Sequence, residues 1–331
     1  VAGFTEVLSY FGIITFNALL SLWILACAVQ LVIFLIPLRR RVAGSKLRVP
    51  EFANADIVYL VAIIIIVILL GLIAMVSAPN NWDSMTYHLP RVMHWVQNKS
   101  VAFYPTGILR QNFLNPWSEF AILQVQVLSG GDYLANSVQW LSMIGSLIGV
   151  SLIAWKLGAG VRGQIFAAVF TATLPMGILQ ATSTQNDYAA TFWLVCFAYF
   201  TLTVVMGGKT DIIAAVLLGL SLGLAVLTKA TSYIFAFPVL AWLVVSVFKA
   251  RGLRALKCLG VIVAVVFIIN AGHYARNFDL FGNPLGPSEI TTLFTNKTHS
   301  AQALASNLIK NISLHMSTPF YLVNRGMEAL I

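Results

Sequence analysis

The feature that most constrains this chain is the apolar run 57–77, which contains no charged side chain. A helix that crosses the hydrocarbon core of a bilayer needs roughly 20 such residues. Because a backbone in lipid must satisfy its own hydrogen bonds, runs of this kind fold as helices. Seven further runs are similar, and we expect eight spanning helices, over residues 8–36, 57–77, 132–155, 163–181, 188–206, 212–228, 231–248 and 258–273.

The composition of the whole chain also indicates a membrane protein. Of the 331 residues, 59% are hydrophobic and 9% are charged, whereas about 25% of an average soluble domain is charged. This excludes a water-soluble globule, and we predict an all-α polytopic membrane protein. The three cysteines lie inside apolar runs and are typical of packing residues. The chain begins at Val1 and ends at Ile331 without a terminus signal, so we expect a processed or truncated chain.

The basic residues alternate from one connecting segment to the next. Twelve of the 20 lysines and arginines follow the first, third, fifth and seventh expected spans, and they are Arg39, Arg40, Arg41, Lys46, Arg48, Lys156, Arg162, Lys209, Lys249, Arg251, Arg254 and Lys257. The positive-inside rule makes that side cytoplasmic. The net charge of +9 is then a topology signal and does not indicate nucleic-acid binding.

This alternation divides the chain into three parts. Residues 1–56 are an extra N-terminal span with a basic cytoplasmic connector, 57–273 are a transmembrane core, and 274–331 are an extracytoplasmic C-terminal segment. The core includes the outer loop 78–131. Within the last segment, apolar spacing predicts an amphipathic surface helix over 301–316. Since long loops commonly carry function, we expect any chemistry on the outer face.

The outer loop predicts two short interfacial helices, over 83–97 and 116–129. In the first, apolar residues recur at helical spacing on one face and polar residues on another. Pro90 should bend or break this helix, because it lacks a backbone N–H. His88 and His94 do not share a helix face, so we expect no protein-only transition-metal site.

Two interpretations of the polar face stay open. In one, the face is simply solvated and Asp83 caps the first helical turn. In the other, the Asp83 carboxylate is a general base beside Tyr87, His88 and Arg91. A loosely held divalent cation between Asp83 and a substrate phosphate is compatible with the second interpretation.

Other polar residues collect on the same predicted side. Asp187 lies at the top of a helix, either as its N-cap or as a functional acid. Lys229 lies on the predicted outer side, where the positive-inside rule disfavours basic residues. We expect it either to snorkel to lipid headgroups or to bind a ligand phosphate. Arg110 and Arg276 add guanidinium groups, which pair well with phosphate. Carboxylates together with such cations indicate an enzyme that transfers a group from a phosphate-activated, lipid-linked donor.

Four segments carry a family resemblance: NNWDSMTYHLPRVMHW after the second span, STQNDY, LTKATSY and RNFDLFGNPLGP. Over roughly residues 57–290 the chain resembles the GT-C-fold glycosyltransferases that use polyprenyl-phosphate sugars. These include the protein O-mannosyltransferase-like, lipid A aminoarabinose transferase-like and bacterial family 39-like branches. The resemblance implies a multi-pass protein of the bacterial inner membrane, with a lipid-linked sugar donor and membrane lipids as its partners.

The resemblance also implies roles for particular residues. Asp83 matches the catalytic base of an inverting transfer, and Asp187 matches a second acid that positions the acceptor, a metal or a catalytic group. Lys229 matches a lysine near the donor phosphate, helped by Arg91 or Arg276. Tyr87, His88 and Arg110 are further candidate substrate contacts.

Three departures from the family pattern keep other functions open. Ser84 stands where the first-loop signature often has glutamate, an extra span precedes the family's first, and the chain stops earlier than usual. The main alternative is a non-catalytic, glycosyltransferase-like subunit of a larger membrane complex. A transporter or flippase is disfavoured, because the charges lie at span ends and no inverted repeat is visible.

Overall fold

A computed structural model describes residues 1–41, 52–207, 211–288, 297–315, 318 and 320–330, and no strand occurs among them. The helices are α1 (Ala2–Tyr10), α2 (Phe16–Arg41), α3 (Asn54–Val76), α4 (Leu89–Asn98), α5 (Arg110–Phe113), α6 (Trp117–Ser129), α7 (Ser137–Lys156), α8 (Val161–Ala172), α9 (Pro175–Gln180), α10 (Asp187–Gly207), α11 (Ile212–Thr228), α12 (Ser232–Arg251), α13 (Ala255–Phe281), α14 (Ala301–His315) and α15 (Tyr321–Leu330). A π-helical turn, Ser84–His88, precedes α4, and a 3₁₀ turn, Gly252–Arg254, joins α12 to α13.

Within the described residues, five helical stretches are long and apolar enough to cross a bilayer: Phe16–Ile33, Asn54–Val76, Ser137–Lys156, Asp187–Gly207 and Ser232–Phe281. The last of these contains both α12 and α13. Two shorter apolar helices, α8 and α11, lie among them. The predicted all-α polytopic membrane fold is therefore confirmed.

Two of the eight expected spans are not single helices. Residues 8–36 are divided between α1 and α2, with Gly12 in the connection at a φ of +65°, which favours glycine. Residues 163–181 are divided between α8 and α9. Pro175 begins α9 and holds Leu174 in an extended conformation, as the residue before a proline prefers.

Close helix crossings hold the bundle together. A Cβ added to Gly145 of α7 would lie 2.5 Å from the Phe192 ring of α10. A Cβ added to Gly219 of α11 would lie 2.7 Å from the Val265 Cβ and 3.1 Å from the Ile262 carbonyl oxygen of α13. Small residues at such crossings let helices in a membrane approach closely. In this way α7 packs closely on α10, and α11 packs closely on α13.

Side-chain amides attach the outer loop, 78–131, to one end of this bundle. Asn115 Nδ2 donates to the Val226 carbonyl of α11 at 2.8 Å, and Asn277 Nδ2 of α13 donates to the Phe113 carbonyl at 3.4 Å. These bonds satisfy backbone carbonyls that would otherwise be costly to bury. The loop therefore lies against the same end of the bundle at which α11 and α13 finish.

The opposite end of the bundle carries an ion pair between Arg162 Nε and Asp56 Oδ1, at 3.2 Å. It joins the start of α8 to the start of α3. Among the cations used for the orientation, Lys46, Arg48 and Lys209 lie outside the described residues. Which end faces the cytoplasm stays a prediction.

The predicted surface helices have different outcomes. The helix expected over 301–316 is present as α14, with Leu304 and Leu308 exposed, while residue 316 lies outside the described residues. The helix expected over 116–129 is present as α6, but its interfacial setting is wrong. Phe120 and Leu123 are fully buried, because α1, α2, α7 and α11 all contact this helix.

We expect Gly219→Ala to destabilise the protein by about 1–3 kcal/mol, because the added methyl group overpacks the crossing of α11 and α13. Gly260→Ala is the matched control, since a Cβ at this glycine of α13 meets nothing within 4 Å. Thermal unfolding in detergent measures both variants. Equal melting temperatures for the two would contradict this account of the crossing.

Candidate active site

The first outer segment begins with a π-helical turn that accommodates Pro90. In a regular α-helix the Thr86 carbonyl would accept from residue 90, which as proline has no N–H. Gln111 Nε2 donates to that carbonyl instead, at 2.8 Å. The expected break at Pro90 is therefore replaced by a wider turn that continues directly into α4.

The cap of this turn is Asn81 rather than Asp83. Asn81 Oδ1 accepts from the Ser84 backbone N–H at 2.8 Å, whereas the Asp83 side chain makes no capping bond. The interpretation of Asp83 as an N-cap is therefore wrong. Its carboxylate is half-buried and remains available for another role.

Asp83 interacts with Tyr87, four residues later. Burial raises the pKa of the Tyr87 phenol well above its ordinary value, and the charge of Asp83 and a hydrogen bond to its carboxylate raise it further. A protonated phenol therefore faces the carboxylate as a donor. The Arg110 guanidinium lies 5.9 Å from the centre of the Tyr87 ring. Acid, phenol and guanidinium are thus neighbours, but the guanidinium is that of Arg110 and not, as predicted, that of Arg91.

Behind this group lies a buried cluster of three charged or polar side chains: His88, Arg91 and Glu119. Glu119 Oε1 lies 2.8 Å from His88 Nδ1 and 3.3 Å from an Arg91 nitrogen. Each of the three residues is no more than 1% exposed. The interpretation of a simply solvated polar face is therefore wrong for Arg91, which points into the protein together with His88.

Arg91 also binds backbone carbonyls of the loop. Its Nη2 donates at 2.7 Å both to the carbonyl of Asn112 and to that of Leu114. Burial alone would raise the pKa of Glu119, but the His88 ring and the Arg91 guanidinium outweigh it and hold this pKa below its ordinary value. Glu119 is therefore an anion that neutralises the buried Arg91 guanidinium.

No role was assigned to Glu119 from the sequence. An acid in the first turn of a helix is also typical of a favourable interaction with the helix dipole. Its partner lies 31 positions earlier in the chain, so no local pattern connects the two. Its position in the first turn of α6, three residues after Pro116, was the available signal.

Asp187 and Lys229, predicted separately, form an ion pair. Lys229 Nζ lies 2.5 Å from Asp187 Oδ1, and both side chains remain partly exposed, at 33% and 40%. Asn186 Nδ2 donates to the Thr228 carbonyl at 3.1 Å, which holds the two helix ends together. Lys229 is therefore not a lone cation, and its contact with lipid headgroups or with a ligand phosphate stays a prediction.

The first turn of α10 is capped from outside its own segment. Gln139 of α7 accepts from the Ala189 backbone N–H, with its Oε1 at 2.9 Å. This leaves the Asp187 carboxylate facing Lys229.

Arg276 is engaged by α1. Its two terminal nitrogens each donate at 2.7 Å to one carboxylate oxygen of Glu6, in a bidentate pair. Arg276 also lines an open cavity of about 310 Å³ together with Phe103 and Asp279. Its predicted contact with a ligand phosphate would therefore have to share the guanidinium with Glu6.

The loop segment 112–119 connects the two acid-containing groups. Arg91 holds its first part through the carbonyls described above, and Ser118 Oγ near its end donates to the Gln185 carbonyl at 3.4 Å. The Asp83 group and the Asp187–Lys229 pair thus lie at the same end of the bundle. Among the described residues, no group of three or more His, Cys, Asp or Glu side chains is arranged to hold a metal ion.

Compared with protein-family models, curated proteins and solved structures, the chain shows no match. The resemblance to GT-C glycosyltransferases therefore stays a prediction from the motifs.

We expect Glu119→Gln to cost about 3–5 kcal/mol of stability, because it leaves the buried Arg91 guanidinium without a compensating charge. Adding Arg91→Met should restore part of the loss, since the double variant has no unpaired charge. Thermal unfolding in detergent gives both values.

The acid dependence of stability provides a second readout. Because the folded state lowers the pKa of Glu119, its contribution is present above the unfolded glutamate pKa of about 4.3 and is lost as the pH falls through the lower folded value. Wild type should therefore lose more stability than Glu119→Gln below about pH 4. If the stability of the two proteins falls in parallel as the pH is lowered, the conclusion that Glu119 is charged in its buried position is contradicted.

Proposed function

We propose that the protein is a membrane glycosyltransferase that moves a sugar from a polyprenyl phosphate to an acceptor hydroxyl. The proposal places the outer loop on the extracytoplasmic side of a bacterial plasma membrane. One observation carries it: the half-buried Asp83 neither caps a helix nor, among the described residues, forms an ion pair with a cation. A carboxylate in that setting, beside a protonated phenol, is suited to accept a proton.

The proposed reaction is a single inverting displacement. The acceptor oxygen attacks the anomeric carbon and forms the new glycosidic bond, while its proton passes to the Asp83 carboxylate. The bond from the anomeric carbon to the phosphate oxygen breaks, and its electron pair leaves with the polyprenyl phosphate. Tyr87 would orient Asp83 through the hydrogen bond between them.

Cations at the same end of the bundle would stabilise the leaving phosphate. Lys229 and Arg110 are the candidates, since both lie on the segments that the outer loop brings together. Fixed positive charge is most effective where negative charge develops in the transition state. A divalent cation held between Asp83 and the phosphate oxygens would supply further charge, and carboxylate oxygen suits such ions.

An apolar cavity along α6 suits the lipid part of the donor. It has a volume of about 410 Å³ and is bounded by α2, α6, α7 and α10. Trp117, Leu128 and Phe192 contribute to its wall, and Trp117 lies two residues before the buried Glu119. An isoprenoid chain would be compatible with this lining, because the side chains that line the cavity expose mainly carbon atoms.

The second candidate function is a non-catalytic, glycosyltransferase-like subunit of a membrane complex. It is favoured by the span Phe16–Ile33, of which only 6% is buried inside the chain. Such a helix has nearly its whole surface available for lipid or for a partner helix.

We expect Asp83→Asn to reduce sugar transfer at least about 100-fold, the usual effect of losing a general base. Asp132→Asn is the matched control, because Asp132 is an exposed acid at the end of the same loop. Transfer is measured in membranes with labelled polyprenyl-phosphate sugars. Normal transfer by Asp83→Asn, in protein that unfolds like wild type, would favour the subunit function.

We expect Lys229→Gln to raise the KM for the lipid-linked donor about tenfold, since a charge-assisted contact to phosphate is lost. Asp187→Asn should leave Lys229 free for the phosphate and should lower or preserve that KM. Steady-state transfer against donor concentration separates the two. Equal effects of both substitutions would indicate that the pair only supports the fold.

A further inference from the structure

A second cavity lies at the end of the bundle opposite the candidate active site. Its volume is about 390 Å³, and its walls come from the start of α11, the end of α12 and the start of α13. The lining residues are Asp211, Ile212, Ala215, Arg251, Arg254, Lys257, Cys258 and Val261. None of these residues belongs to the proposed transferase site.

The charges around this cavity are mainly positive. Arg251, Arg254 and Lys257 supply three cations, while Asp211 supplies the acid among the described lining residues. The Asp211 carboxylate accepts from the Ala214 backbone N–H at 2.8 Å and so caps α11. Within the described part of the chain, no carboxylate forms an ion pair with Arg254 or Lys257.

The helix dipoles add to this positive potential. Both α11 and α13 begin at the cavity, and the N-terminus of a helix carries a partial positive charge. Arg254 and Lys257 therefore stand where a helix favours an anion. A bound phosphate group would offset both the side-chain charges and the helix ends.

The surroundings of the cations favour a lipid as the source of that phosphate. Leu253 and Leu256 alternate with the cations in sequence and are 81% and 57% exposed. Ile212 and Val261, which line the cavity, belong to the apolar helices α11 and α13. The cavity thus offers cations at its rim and hydrocarbon beneath them, the combination that a phospholipid headgroup and its glycerol meet.

We propose that this cavity binds the phosphate headgroup of an anionic phospholipid, with Arg254 and Lys257 as the phosphate contacts. The cavity is a lipid site distinct from the donor site at the other end of the bundle. It would anchor the turn Gly252–Arg254 at the membrane surface predicted to be cytoplasmic.

The test uses the full chain in neutral detergent, titrated with mixed micelles of phosphatidylglycerol or of phosphatidylcholine. The readout is the thermal unfolding temperature, and native mass spectrometry counts the lipids that remain bound. The variant is the double substitution Arg254→Gln with Lys257→Gln. The matched control is Lys156→Gln with Lys249→Gln, which removes two charges at the same end outside the lining. Glycerol 3-phosphate is titrated as a soluble phosphate.

Phosphatidylglycerol, but not phosphatidylcholine, should stabilise the wild type. The double variant should need at least about tenfold more of it, and the control pair less than about twofold more. If phosphatidylglycerol stabilises the double variant and the wild type at the same lipid concentrations, the proposed site is overturned. If glycerol 3-phosphate stabilises the protein as much as phosphatidylglycerol does, and this effect also requires Arg254 and Lys257, the site binds a soluble phosphate. That result would overturn the proposal of a lipid ligand. Sugar transfer is not part of this readout, so the result is independent of the proposed catalysis.

Discussion

The buried ion pair between Arg91 and Glu119 determines how the end of the bundle that carries residues 78–131 is built. Two charges that leave water are tolerable only when each has a partner of opposite sign and its remaining hydrogen bonds are satisfied. Arg91 meets most of that condition through Glu119 and through two carbonyls of the loop, while Arg91 Nε and Glu119 Oε2 have no hydrogen-bond partner among the described residues. The π-helical turn before α4 then fixes where Tyr87 and Asp83 emerge. The position of the candidate base therefore depends on a contact that lies beneath it.

The sequence predicted the parts of the fold that depend on local composition. Long apolar runs without charge correctly indicated α3 and α10, because the bilayer leaves such segments few alternatives to a helix. The breaks at Gly12 and Pro175 were missed, although a glycine or a proline inside an apolar run is itself a signal of a turn. Contacts between distant residues could not be read at all: Glu6 and Arg276 are 270 positions apart and meet only after the bundle has formed.

The candidate site shows the same division. Asp83, Tyr87 and Arg91 could be grouped from helical spacing, but only folding turned Arg91 inward and Asp83 outward. Asp187 and Lys229 were identified separately, as charges at the ends of helices, and the structure pairs them. That pairing suits both helices, since Asp187 lies at the N-terminus of α10 and Lys229 follows the C-terminus of α11. Because the pair is partly exposed, it is weak enough for a phosphate to replace the carboxylate.

The two ends of the bundle use their cations differently. At the end with the outer loop, Arg91, Lys229 and Arg276 each have a carboxylate partner, so they are held in place before any ligand arrives. In the proposed reaction a donor phosphate would compete with these carboxylates, and it would do so most easily at the partly exposed Lys229. At the other end, Arg254 and Lys257 face a cavity and no carboxylate among the described residues pairs with them. Cations in that state gain most from a ligand that stays bound, which is the behaviour expected of a structural lipid.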